Sequence, residues 1–248
     1  MNRRIGLMII GTEILLGKRQ DRHFDRSRRQ LAERGYEVAW TMILPDAWEI
    51  LIGQLRWAFA QDHPFFSFGG LGATPDDLTR AAAATALDQP VEPHPEAVEL
   101  IRRQFGNAAE PIRIRMAELP RDATIIPNPI NQIPGFALAN GYFFPGFPQM
   151  AEPMSAWVLE KFFPIQSAMA QWRMILPGCK ESELVELMEE FCQQFPKVDF
   201  SSLPSFGQDG YAVEIGLRAA PAELETARDW LTQRLARANI DWQPWEEA

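Results

Sequence analysis

Residues 65–80 read FFSFGGLGATPDDLTR, an apolar run followed by three glycines, Thr-Pro and two adjacent aspartates. Glycines after a strand permit a tight turn and close approach of backbone to a ligand. Thr74 before Pro75 has the form of a helix start, threonine as N-cap and proline in the first turn. The spacing therefore predicts a helix over 75–87 whose first amides face an anion. A plainer reading also fits: a strand-to-helix turn in which Asp76 and Asp77 complement the helix dipole. A carboxylate beside a phosphate is unfavourable unless a proton or a divalent cation stands between them. Mg²⁺ commonly bridges one or two carboxylates to substrate phosphates. Glu13, Asp46 and Asp77 each fall at a predicted strand end or in the turn after it. If they converge, they imply metal-assisted chemistry on a phosphoryl group.

The surrounding elements must bring those residues together. Residues 5–10 form a continuous apolar run, as do 64–68, and 37–44 is rich in β-formers. Between them lie helical stretches over 21–34, ended by Gly35, and over 46–62, with Trp48, Leu51, Ile52, Leu55 and Phe59 at helical spacing. Strand and helix alternate as in a parallel sheet covered on both faces. Ligands of such sheets bind beyond the carboxyl ends of the strands, where Gly11, Pro45-Asp46 and Gly69-Gly70 fall. Further on, Asn140-Gly141 between two apolar runs predicts a hairpin. A helix follows over 150–163 and is closed by Pro164.

A domain of 1–166 followed by a smaller one of 167–248 is expected. The second reads strand, helix, strand, strand, helix. Its helices carry Leu184, Met188, Phe191, Cys192 and Phe195 on one face, and Leu224, Ala227, Leu231 and Leu235 on another. A Gly-Gln-Asp-Gly turn at 207–210 joins its two middle strands.

Composition narrows the function classes. With 24 Lys+Arg against 33 Asp+Glu, the net charge of −9 disfavours nucleic-acid binding, which needs a basic face. Residues 167–248 hold 7 basic and 14 acidic residues, 7 − 14 = −7, and no G-x-x-G clamp. Cys179 and Cys192 suggest two buried thiols rather than a disulfide framework. The N-terminal apolar run stops at Gly11-Thr12-Glu13, too short for a signal segment or a membrane span, so a cytoplasmic protein is expected. His23, His63 and His94 have no metal-ligand spacing. His63 and His94 read as surface turn residues, whereas His23 opens a helix beside the first strand end. The run Lys18, Arg19, Arg22, Arg26, Arg28 and Arg29 is either an anion attractor or a solvated helix face. The eight tryptophans, scattered over helices, suit core or interface.

The stretches GTEILLGKRQD, Asp46, GGLGATPDDLTR, IIPNPINQIPGF and FPGFPQM, in this order and spacing, resemble the competence/damage-inducible protein A family. The resemblance implies a mostly parallel, three-layer α/β/α molybdopterin-binding-like domain followed by a small α+β, KH-like domain. It places Gly69, Gly70, Gly72 and Thr74 in a loop that holds the ligand's phosphate. Asp46 and Asp77 correspond to functional acids of adenylylating relatives, as catalytic residues and metal ligands. Gly11 and Glu13 match a G-[TD]-E motif, and Pro145, Gly146 and Pro148 a P-G-x-P loop near the pocket. The implied ligand is a phosphorylated pterin or nucleotide, molybdopterin-like or ADP-ribose-like. Pyrophosphate hydrolysis with Mg²⁺, Mn²⁺ or Co²⁺ is one implied outcome and molybdopterin binding without turnover the alternative. A homo-oligomer is also implied. The chain departs from the family pattern at Ser67 and Phe68, where two threonines are common, at Ala73 for proline and at His23 for asparagine. The family's deamidase domain is not among these residues, so that activity is not expected here.

Overall fold

The computed structural model describes residues 3–166, 169–207 and 210–245, which divide into two compact units, Met1–Gln166 and Ser167–Ala248. In the first, β1 (Arg4–Ile10), α1 (Thr12–Leu15), α2 (His23–Glu33), β2 (Glu37–Leu44), α3 (Trp48–Phe59), β3 (Phe65–Phe68) and α4 (Thr79–Ala86) alternate. Then follow β4 (Val91–Pro93), α5 (Pro95–Phe105), β5 (Glu118–Pro120), β6 (Thr124–Ile126), β7 (Gly135–Leu138), β8 (Gly141–Phe144) and α6 (Pro148–Phe162). Six strands form one sheet in the order β2-β1-β3-β8-β7-β6, while β4 and β5 pair separately. The pairs β1–β2, β1–β3 and β3–β8 are parallel; β7 pairs antiparallel with both β8 and β6.

The apolar run of β1 is buried on both faces because its side chains alternate between two cores. Ile5, Leu7 and Ile9 pack with Phe66, Phe68, Phe144, Leu31 of α2 and Met154 of α6. Met8 and Ile10 pack with Phe65, Phe143, Leu51 and Leu55 of α3, and the alanines of α4. Two helical layers therefore sandwich a mostly parallel sheet. Four parallel strands point their carboxyl ends to one edge, so Gly11, Asp46, Gly69 and Pro145 all leave the sheet there.

Several local expectations change. The helix read over 75–87 begins only at Thr79. Residues 74–77 instead close a turn, Asp77 N–H donating to the Thr74 carbonyl at 3.0 Å. The hairpin turn is Ala139-Asn140, one residue earlier than Asn140-Gly141, because Leu138 already pairs with Gly141. Ala139 takes the positive φ of 50°, and Asn140 Nδ2 reaches the carbonyls of Ala58, Gln61 and His63 at the end of α3. On α3 the buried face is Leu51, Ile52, Leu55 and Ala58, with Trp48 turned outward. His63 is no surface residue: it is 7% exposed and accepts a hydrogen bond from Trp40 Nε1 at 3.1 Å. His94 is half-buried at the start of α5.

The second unit contains β9 (Ala170–Pro177), α7 (Val185–Gln194), β10 (Asp199–Gly207), β11 (Gly210–Ala219), α8 (Pro221–Arg237) and β12 (Gln243–Pro244). Its sheet runs β10-β11-β9-β12, all antiparallel, and its core joins Met174, Leu176, Val213 and Ile215 to Phe191 of α7 and Leu224, Ala227, Leu231 and Leu235 of α8. Leu187, not Cys192, completes the buried side of α7. Cys192 is exposed and Cys179 half-exposed, so the expected buried thiols are not found. Gln208 and Asp209, the centre of the expected Gly-Gln-Asp-Gly turn, lie outside the described residues. Among the described residues no helix is long and apolar enough to cross a membrane.

Candidate functional site

The loops leaving β1, β2, β3 and β8 enclose a cleft of about 420 Å³. Its lining includes Gly11, Glu13, Asp46, Gly69, Gly70, Gly72, Thr74, Asp77, Pro145 and Gly146. Of the ligand-binding residues named from the sequence, only Pro148 lies apart. It opens α6 and borders an adjoining cleft of about 360 Å³ with Arg19, Arg22 and His23. The two clefts share Glu13, Arg19, Gly146 and Phe147.

Backbone conformation explains why glycine is needed after β3. Gly69 and Gly70 have φ of 108° and 68°, a region other residues reach only at a cost. A Cβ on Gly69 would stand 2.2 Å from the Ile10 carbonyl oxygen, and one on Gly70 2.1 Å from Thr79 Oγ1. Thr79 Oγ1 itself donates to the Gly69 carbonyl at 3.0 Å. Valine at Gly70 would therefore both strain the backbone and clash with Thr79.

The paired acids are explained by the loop they hold. Asp77 Oδ1 accepts from Gly72 N–H at 2.8 Å and Oδ2 from Thr74 N–H at 2.9 Å. The Thr74 hydroxyl lies within reach of Asp77 Oδ2 and of Asp76 Oδ1. That hydroxyl is the main cause holding the exposed Asp76 carboxyl below its ordinary pKa. Beneath the loop, the buried Arg80 guanidinium donates to the carbonyls of Leu71 and Gly72. Burial lowers the Arg80 pKa, while the Asp77 and Glu118 carboxylates oppose that effect. The cation that reconciles the acids with the glycine loop is thus a side chain of the same sixteen-residue stretch. The sequence alone gives Arg80 no role, although it is the one basic residue in FFSFGGLGATPDDLTR.

Asp46 is likewise engaged. Its Oδ2 accepts from Thr12 N–H at 2.8 Å and Thr12 Oγ1 at 3.0 Å, and its N–H donates to Thr12 Oγ1 at 2.9 Å. This ties the turn after β2 to the start of α1. Among the described residues no group of three or more His, Cys, Asp or Glu could hold a metal ion. Glu13, Asp46 and Asp77 border one cleft without forming a cation cage, and a metal held by protein side chains alone does not fit there.

Backbone amides add positive character to the cleft beside the Arg19 side chain. Among the described residues, the N–H groups of Gly70, Leu71 and Ala73 donate to no protein acceptor. Successive free amides in a turn with positive φ make an anion-binding concavity. His23 frames the same edge: it stacks on Phe68 with ring centroids 4.6 Å apart, and its Nε2 meets the Gly146 carbonyl at 3.2 Å. Gly146 in turn packs so near Gly69 that an added Cβ would lie 3.3 Å from Gly69 Cα. Burial is the largest influence on the His23 imidazole and lowers its pKa, with the Gly146 and Asp21 contacts acting the other way. Asn128, Asn131, Ile133 and Met150 complete the cleft wall. The run PNPINQIP carried that signal, its two asparagine amides held between prolines.

Known proteins match this arrangement. A family model described as a probable molybdopterin binding domain matches residues 6–164. A protein of Pyrobaculum calidifontis is 27% identical over 243 residues, covering 92% of this chain and 93% of its own. A CinA-like protein of Geobacter sp. strain M21 is 29% identical over 94% of this chain, which spans 58% of that relative's length. Among solved structures, the protein CinA of Thermoplasma acidophilum, described as of unknown function, superposes with a TM-score of 0.59 at 27% identity, covering 64% of this chain and 97% of its own. The chain therefore belongs to the family that carries a probable molybdopterin binding domain, and it is similar to CinA-like proteins over nearly its whole length.

Proposed function

We propose that the chain binds a phosphorylated pterin or nucleotide in the cleft at the carboxyl edge of β1, β3 and β8, without turning it over. The observation that supports this most is the set of free amides at Gly70, Leu71 and Ala73, in a loop held open by Asp77 and Arg80. Buried or half-buried donors without acceptors are costly, and a phosphate oxygen satisfies several at once. The family match supports a pterin-related ligand. Binding is favoured over hydrolysis because Asp46 and Asp77, the carboxylates best placed for chemistry, already accept two or more hydrogen bonds from the loops they brace.

Calorimetric titration with inorganic phosphate, AMP and ADP-ribose tests the reading. Each should bind, more weakly at higher salt. Ala73→Asp, which places a carboxylate beside the free amides, should weaken all three by about tenfold or more without lowering the melting temperature. No heat with any of them would overturn the reading. Incubating ADP-ribose with Mg²⁺, Mn²⁺ or Co²⁺ should yield no AMP; release that scales with protein would make the chain a hydrolase instead.

A further inference from the structure

Two side-chain amides in the cleft wall have orientations dictated by backbone N–H groups, which can only donate. Ile130 N–H donates to Asn128 Oδ1 at 3.0 Å. The Nδ2 of Asn128, a residue only 5% exposed, therefore donates to Asn131 Oδ1 at 2.7 Å and to the Ile133 carbonyl at 2.9 Å. Ile133 N–H also donates to Asn131 Oδ1, at 3.2 Å. With its oxygen claimed twice by its own loop, Asn131 must turn Nδ2 the other way. There its neighbour is Met150 Sδ at 3.4 Å, and a thioether is a weak acceptor. The second Nδ2 hydrogen has no partner among the described residues. Asn131, Ile133 and Met150 line the same cleft as the glycine loop.

The geometry points to Asn131 as a specificity residue that donates a hydrogen bond to a carbonyl oxygen or ring nitrogen on a flat heterocycle, with Ile133 and Met150 against the ring. The inference rests on the reading of the cleft as a phosphorylated-ligand site and adds what the far end of that ligand must offer. A fixed amide whose donor lacks a good acceptor discriminates strongly, because a ligand without the matching group leaves it unpaired. Pterins and guanine share such an acceptor edge, so either could supply it.

The test follows the side-chain amide resonance of Asn131 by NMR while guanosine, 6-hydroxymethylpterin, ribose 5-phosphate and GMP are added separately. Guanosine or the pterin should shift that resonance, and whichever does so at lower concentration identifies the ring. Ribose 5-phosphate should shift only the backbone amides of the glycine loop. In Asn131→Asp the retained oxygen still serves Ile133 and Asn128 while the donor is lost. The added charge weakens both phosphate ligands, but the variant should lower GMP affinity about tenfold further than it lowers ribose 5-phosphate affinity. If both ligands weaken equally, or no ring compound moves the Asn131 signal, the inference is overturned while phosphate binding stands. If guanosine or the pterin moves it and ribose 5-phosphate perturbs nothing, the phosphate reading fails and the Asn131 inference stands.

Discussion

Asp77 and Asp46 look alike in the sequence, each an acid just past a strand, yet their hydrogen bonds separate them. Asp77 uses both oxygens on two different amides, Gly72 N–H and Thr74 N–H. In Asp77→Asn one of those amides must face an NH₂ group, so the loop should lose about 1–3 kcal/mol in urea unfolding, and phosphate binding should weaken with it. Asp46 uses a single oxygen for both Thr12 donors, which an asparagine oxygen can replace. Asp46→Asn should therefore stay within about 1 kcal/mol of the parent. Equal effects of the two variants on stability would contradict the bracing roles. His23 adds a pH dependence. Burial lowers its folded pKa, so below about 6.5 the unfolded chain takes up a proton that the folded chain resists. Stability should fall as pH drops from that value toward the folded pKa, by at most about 1.4 kcal/mol per pH unit for one group. Urea midpoints between pH 7.5 and 4.5 should show this slope in the parent and its loss in His23→Asn; identical curves would refute it.

At the level of elements, β1 and β3 were legible as continuous apolar runs buried on both faces, β2 by its β-forming residues, and α3 and α8 by the helical spacing of their buried faces. The start of α4 was not. Thr74-Pro75 has good helix-start chemistry, but Asp77 takes the Thr74 amide and its own N–H closes on the Thr74 carbonyl, which delays the helix to Thr79. A contact between residues three apart thus outweighed a local preference, and no periodicity reports it. Cys192 was misplaced for a smaller reason: it sits one position past Phe191, where a small error in helix phase moves a side chain from core to solvent. Gly11, Asp46, Gly69 and Pro145 were legible as strand ends, since a parallel sheet puts all such ends on one edge, whereas Asn128, Asn131 and Met150 come from other elements and were not. Arg80 was harder, because nothing local says that the side chain of a helix's second residue will turn back under the preceding loop. It now carries its own test. Arg80→Leu would leave the Leu71 and Gly72 carbonyls without their charged donor, and should destabilise the protein by about 1.5–3 kcal/mol. A loss within error of zero would return the loop's order to Asp77 alone.

Across the whole molecule, the two units are built as separate cores. The first closes on its own last residue: Gln166 N–H donates to the Arg34 carbonyl at 2.9 Å and its Nε2 to Tyr36 Oη at 3.2 Å. The second gathers Phe191, Val213, Ile215, Leu231 and Leu235 around one four-stranded sheet. Its balance of 7 − 14 = −7 opposes counterion-release binding, so gel shifts with single-stranded RNA should show no complex at physiological salt. A tight, salt-sensitive complex would reverse that expectation. All the cleft residues lie in 1–166. A chain ended after Gln166 keeps both sides of the sheet covered, by α2 and α6 on one face and α3, α4 and α5 on the other. It should fold cooperatively and bind phosphate with the parent's affinity to within about twofold, the spread expected when no contact to the ligand is removed. Circular dichroism melts and the same calorimetric titration decide it. A shortened chain that folds but fails to bind would show that residues beyond 166 complete the site.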